Sequence, residues 1–195
     1  MALEVGQLLP DAFLAAEALD RERVSRRIRD LVSGPTLIVF LRQFGCPFCS
    51  HQVDEIVRRL PELEAAGVRL LLIGNGPVEA LDAFSQRQAL EGRAITLVTD
   101  PSRRAYDAVG LVHSFAAAYG PRSLLDELRI MAKGYFPRRR QGDGAQLGGA
   151  ILIDDKGRVA YFKRSEHMGD LADSGDIIQS ALALLVLRSA GEARV

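Results

Sequence analysis

The sequence predicts an α/β fold in which a central mixed sheet is flanked by helices. Two apolar runs, Thr36–Leu41 and Val68–Ile73, have the unbroken hydrophobic pattern of strands covered on both faces. Between them Val53, Ile56, Val57, Leu60 and Leu63 recur every three or four residues, which marks a helix facing a core. Strand, helix and strand joined by short loops form a parallel right-handed crossover. Further along, Ala150–Ile153 and Arg158–Lys163 flank Asp154-Asp155-Lys156-Gly157, whose turn residues predict an antiparallel hairpin. One sheet holding both connections is a mixed sheet.

The remaining elements follow in order. Glu17–Leu31 reads as a charged helix, with Val24, Ile28 and Leu31 at helical spacing and Gly34-Pro35 as its stop. Pro61 kinks the helix after Cys46 or ends it early. Gly67 turns the chain into the second strand, and Gly74-Asn75-Gly76-Pro77 closes it. A helix over about Val78–Leu90 leads to a strand over Ala94–Val98, and Asp100-Pro101 opens a short helix ending near Gly110. Between Leu111 and Leu147 the alternation lapses into an insertion with one amphipathic helix, Ser123–Ala132, and a Gly-rich polar loop. Segments of this kind serve as lids, as binding surfaces or as plain surface. A last helix spans roughly Asp176–Leu187, and 188–195 reads as a flexible tail. The whole, 1–195, is of single-domain size.

Composition narrows the function. Of 195 residues, 48% are hydrophobic and 26% charged, with 25 Lys+Arg against 25 Asp+Glu. A chain without net charge has no long-range field to gather it onto nucleic acid or an anionic membrane. The basic run Arg138–Arg140 sits among Pro and Gly and reads as a solvated loop face. Met1–Pro10 lacks the basic-then-apolar pattern of a signal peptide, which predicts a cytoplasmic location. The most apolar stretch, Ile177–Leu187, is about half the roughly 20 residues that span a bilayer.

The chain's two cysteines fall in one motif, Cys46-Pro47-Phe48-Cys49. The motif stands where a buried strand ends and a helix begins, so Cys46 is placed near the N-cap and Cys49 in the first turn. Unpaired N–H groups and the helix dipole favour an anion there, and a thiolate is such an anion. Positions of this kind lower a thiol pKa from about 8.5 toward 3.5–7.5, and the thiolate is the reactive species. The spacing also brings both sulfurs to one side of the first turn, within disulfide reach. Pro47 suits the first helical position. Arg42 is a candidate source of positive potential and His51 a candidate proton carrier; each also reads as an ordinary exposed residue. Two other readings of the pair are weighed. A metal site needs two further ligands, and only His51, His113 and His167 accompany the carboxylates, without metal-ligand spacing. Two inert core cysteines are the other. No metal or cofactor is expected.

The stretch FLRQFGCPFCSHQVDEI resembles the active-site region of peroxiredoxin-like proteins of the alkyl hydroperoxide reductase and thiol-specific antioxidant superfamily, and CPFC also resembles the glutaredoxin motif. TLVTDPSRRAYDAVGL is similar to the middle segment of that branch, and QLGGAILIDDKGRVAYFKRSEHMGD to its late hairpin, so the resemblance covers roughly Val5–Ala183. It implies a thioredoxin-like fold of peroxiredoxin-like type with added N-terminal structure. It implies an oxidoreductase whose substrate is a peroxide or a disulfide. The reductant is then an external thiol, namely thioredoxin, glutaredoxin or glutathione. Dimers are common among relatives of this fold, so a homodimer is a possibility. A quinone or lipid endoperoxide substrate also occurs in the wider branch.

The two resemblances assign the cysteines differently. Peroxiredoxins carry P-x-x-x-T-x-x-C, which puts the peroxidatic residue at Cys49, the Thr position at Cys46 and the Pro position at Arg42. Cys49 then becomes a sulfenic acid that Cys46 resolves. Matching to glutaredoxin or thioredoxin makes Cys46 the nucleophile toward a disulfide and Cys49 the resolving residue; here Gly148-Gly149 stand where those families have a cis-proline. Arg164, after the late strand, is a further candidate near the thiolate. A third reading is a non-enzymatic binding protein that uses the 111–147 insertion, and it expects thiols of ordinary pKa.

Overall fold

A computed structural model describes residues 3–192. In chain order the elements are α1 (Asp11–Ala15), β1 (Glu17–Leu19), β2 (Ser25–Arg27), α2 (Ile28–Leu31), β3 (Thr36–Phe40), α3 (Pro47–Arg58), α4 (Leu60–Ala65), β4 (Arg69–Gly74), α5 (Glu79–Arg87), β5 (Ile95–Thr99), α6 (Arg104–Ala108), α7 (Phe115–Tyr119), α8 (Pro121–Ala132), β6 (Gly149–Ile153), β7 (Val159–Arg164) and α9 (Ser174–Glu192). The strands form one mixed sheet in the order β2-β1-β5-β4-β3-β6-β7. β3 pairs parallel with β4, and β4 with β5, while β6 runs antiparallel to both β3 and β7. The predicted crossover and late hairpin are both present.

Strand periodicity explains the unbroken apolar runs. Leu37, Val39 and Leu41 join Leu70, Leu72 and Leu152 in a core with α3, α4, α5 and α9. Ile38 and Phe40 join Leu71, Ile73 and Ile151 on the opposite face, under α1, α2 and α6. With both faces covered, alternation between apolar and polar residues has no use. The late hairpin is set by Asp154, whose carboxylate accepts the Lys156 and Arg158 N–H groups at 2.8 Å each.

Three regions differ from the prediction. Glu17–Leu31 is a β-hairpin followed by one helical turn, because Asp20 accepts the Val24 N–H at 2.8 Å and Arg23 takes a left-handed φ of 63°. Ile28 is buried but Val24 is exposed, so their helical spacing was coincidental. The helix after Cys46 stops at Arg58 and restarts as α4, with Pro61 in its first turn. The last helix continues past Leu187 to Glu192, and Arg188 pairs with Asp155 at 3.0 Å. Of the tail expected at 188–195, only 193–195 lie outside the described residues. The 111–147 insertion holds two helices rather than one, since Ser114 caps α7 by accepting the Ala117 N–H at 3.3 Å.

Candidate active site

The two cysteines sit where the sequence placed them. Cys46 is the N-cap of α3 and Cys49 lies in its first turn, after Pro47. Both are unbonded to each other and buried, at 0% and 4% exposure. β3 delivers the chain to them, and the Arg42 N–H points back to donate to Cys49 Sγ at 3.2 Å. Between the sulfurs and the loop after β7 lies a cavity of about 10 Å³ lined by Arg42, Gln52, Gly148, Ser165 and His167. That volume is about one water molecule. Gly148 lines it without a side chain, because a Cβ there would strike the Phe40 carbonyl.

Arg42 is the cation of the site, although it is only 5% exposed. Its Nη1 lies 3.7 Å from Cys46 Sγ, its Nε donates to the Gly144 carbonyl at 3.0 Å, and its guanidinium stacks on the Tyr119 ring at 4.9 Å. Among the described residues no carboxylate pairs with it, and its Nη2 has no partner. A buried charge is stable only beside an opposite charge or ample hydrogen bonding. The Cys46 sulfur is the group placed to supply that charge.

The electrostatics separate the two thiols. Burial opposes ionisation at both. At Cys46 burial is outweighed by the Cys49 thiol, which donates to it, and by the Arg42 charge, so its pKa falls to about 6. At Cys49 burial is reinforced by the neighbouring Cys46 thiolate, and the thiol is pushed well above its ordinary range. The pair therefore shares one proton near neutrality, with Cys46 as thiolate and Cys49 as thiol.

The insertion covers this arrangement. Arg140 donates to the Tyr119 hydroxyl at 2.9 Å, so the ring that Arg42 stacks on is held by a second arginine. The strap 138–144 lies along the loop before Cys46: Arg138 N–H donates to Gly45 at 3.1 Å, and Gln43 Oε1 accepts the Gln141 N–H at 3.0 Å. Asn75 joins both sides, donating to the Arg42 carbonyl at 2.7 Å and accepting the Asp143 N–H at 2.8 Å. Gly45 is fixed by contact, since a Cβ would strike the Arg139 carbonyl.

Of the other expected site residues, two lie elsewhere. His51 is absent from the cavity lining: its ring stands edge-on to Tyr135 at 5.0 Å, and its Nε2 is 4.0 Å from Glu55. Burial and nearby Lys133 lower its pKa. Arg164 donates to the Gly110 carbonyl at 3.4 Å and is absent from the cavity lining. Asn75, Tyr119 and His167 belong to the site but were not read as such. Asn75 carried only a turn signal, and the other two lie in segments without periodicity.

The family model described as AhpC/TSA antioxidant enzyme matches residues 55–167, more than half of the chain. The chain belongs to the AhpC/TSA family. It is a peroxiredoxin-like, thiol-dependent oxidoreductase. The match begins after Cys49, so membership rests on the body of the fold rather than on the motif. The Arabidopsis thaliana "Thioredoxin-like protein AAED1, chloroplastic" is 23% identical over 189 residues, covering 92% of this chain and 75% of its own. The Salmo salar "Prostamide/prostaglandin F synthase" is 29% identical over 164 residues, covering 81% and 79%. Among solved structures, a mutant of Xylella fastidiosa PrxQ superposes with a TM-score of 0.66 at 13% identity, covering 94% of this chain and 98% of its own. That likeness is one of fold. No helix among the described residues is long and apolar enough to cross a membrane.

Proposed function

We propose that this AhpC/TSA protein reduces peroxides through Cys46 as the attacking thiolate, with Cys49 resolving and an external thiol restoring the pair. The observation that carries this reading is the buried Arg42 guanidinium, 3.7 Å from Cys46 Sγ and without a carboxylate partner among the described residues. It favours the thiolate on Cys46, the reverse of the assignment drawn from the peroxiredoxin motif. In the first step Cys46 S⁻ attacks the O–O bond, taking one oxygen as a sulfenic acid, and the other leaves as alkoxide or hydroxide. Cys49 sulfur then attacks the sulfenic acid sulfur, water leaves, and the Cys46–Cys49 disulfide forms. A Cys46 thiolate also suits attack on a disulfide substrate. The binding-protein reading expected unshifted thiols, and the low Cys46 pKa runs against it.

Stopped-flow thiol loss after addition of hydrogen peroxide tests the proposal. The wild type reacts far faster than free cysteine, Cys46→Ser loses the fast phase, and Cys49→Ser keeps it but stops at a sulfenic acid that dimedone traps. Loss of the fast phase in Cys49→Ser alone would return the peroxidatic role to Cys49.

A further inference from the structure

Peroxide cleavage leaves an alkoxide or hydroxide that needs a proton, and the groups around the sulfurs are poorly suited to give one. Arg42 does not release its proton near neutrality. The Cys49 proton is held by burial and by its bond to the Cys46 thiolate, and it is needed in the second step. Ser165 is a weak acid. The remaining titratable group lining the cavity is His167.

His167 is built in rather than incidental. Its side chain is mostly buried, and its Nδ1 lies 3.2 Å from Asp126 Oδ2 on α8. Asp126 in turn accepts from Arg129 at 3.0 Å, and Gly169 lets the loop close onto it, because a Cβ there would strike the Asp126 carboxylate. Ser123, one turn before Asp126, accepts the Met168 N–H at 3.4 Å and donates to the Ala117 carbonyl at 3.0 Å. The charged groups around the ring are thus Asp126 and its Arg129 from α8, Asp170 with its Lys163 from the strand and loop, and Arg42 with the cysteines across the cavity. A carboxylate beside one imidazole nitrogen orients the ring and leaves the other nitrogen for proton transfer.

Resting on the peroxide reading above, we infer that His167 is the general acid of O–O cleavage and Asp126 its positioning residue. The imidazolium gives its proton to the leaving oxygen as the Cys46–oxygen bond forms. Thiolate, peroxide and imidazolium become sulfenic acid, alcohol or water, and neutral imidazole, and solvent restores the proton afterwards. The second step, sulfenic acid plus Cys49 thiol giving disulfide plus water, is balanced without further proton uptake.

Leaving-group dependence tests this. Hydrogen peroxide and tert-butyl hydroperoxide expel strongly basic oxygens, whereas peracetic acid expels acetate, which needs no proton. His167→Gln is expected to slow thiol oxidation by the first two about a hundredfold. Its rate with peracetic acid falls far less, which also reports that the variant is folded. Asp126→Asn, acting through the orientation of the ring, is expected to reproduce part of that oxidant-dependent loss. Equal losses with all three oxidants, or no loss, would overturn the role of His167. A wild type no faster than free cysteine with any of them overturns the peroxide reading itself, and this inference with it.

Discussion

Arg42 carries more of the site's chemistry than any other side chain beside the cysteines. Its guanidinium reaches a sulfur, a carbonyl and an aromatic face at once, a geometry that lysine does not reproduce. Arg42 therefore links thiol ionisation to folding. The Cys46 pKa is about 6 in the native protein and about 8.5 in an unfolded chain. Between those values the unfolded chain binds the proton that the native chain has lost, so stability rises with pH across this window and is lost as pH falls through about 6. The reduced protein should show a higher urea midpoint at pH 8 than at pH 6, by more than in Cys46→Ser. Arg42→Met should remove that excess and move the thiolate absorbance titration upward. At this scale the cysteines were legible because two such residues three apart are rare by chance and their local structure was plain. Arg42 was legible as a nearby cation, but not its burial, which depends on Tyr119 and Gly144, residues distant in sequence. His51 misled because adjacency along a helix says nothing about which side of the helix a ring faces.

Among elements, the insertion is the one packed along the loop that carries the cysteines. Its strap is held to the loop before Cys46 chiefly by backbone groups and by the amides of Gln43 and Asn75. Removing Asn75 leaves the Arg42 carbonyl and the Asp143 N–H without their partner. Asn75→Ala is expected to lower stability by about 1–3 kcal/mol. Alkylation of Cys46 by iodoacetamide should become faster per thiolate, because the cover loosens while the charge on Arg42 stays. Unchanged alkylation in a destabilised variant would detach the strap from access. The strands of the crossover and the late hairpin were readable because each is a local pattern closed by its own turn. The insertion was not, since α7 and the strap take their form from contacts with the cysteine loop. Glu17–Leu31 failed for a related reason: a side-chain bond from Asp20 and one left-handed residue outweigh a three-residue helical coincidence.

The molecule as a whole surrounds one small chamber beside the cysteines with parts drawn from far along the chain. β3 and α3 bring the sulfurs, the insertion brings the clamp on Arg42, and the loop after β7 supplies His167 and Met168. The sheet order and the two-faced core were implied by apolar patterning alone, whereas the chamber emerges only when these parts meet. Its tightness bears on the protein's fate under severe oxidative load. A sulfenic acid is destroyed when a further oxidant converts it to sulfinic acid. Here the space beside Cys46 measures only about 10 Å³, and the Cys49 thiol is near enough to shift the ionisation of its partner. Self-capture should therefore outrun overoxidation. Mass spectrometry after a large excess of peroxide should find the wild type as the intact disulfide and Cys49→Ser as the sulfinic acid. Abundant sulfinic acid in the wild type would show the chamber open during turnover.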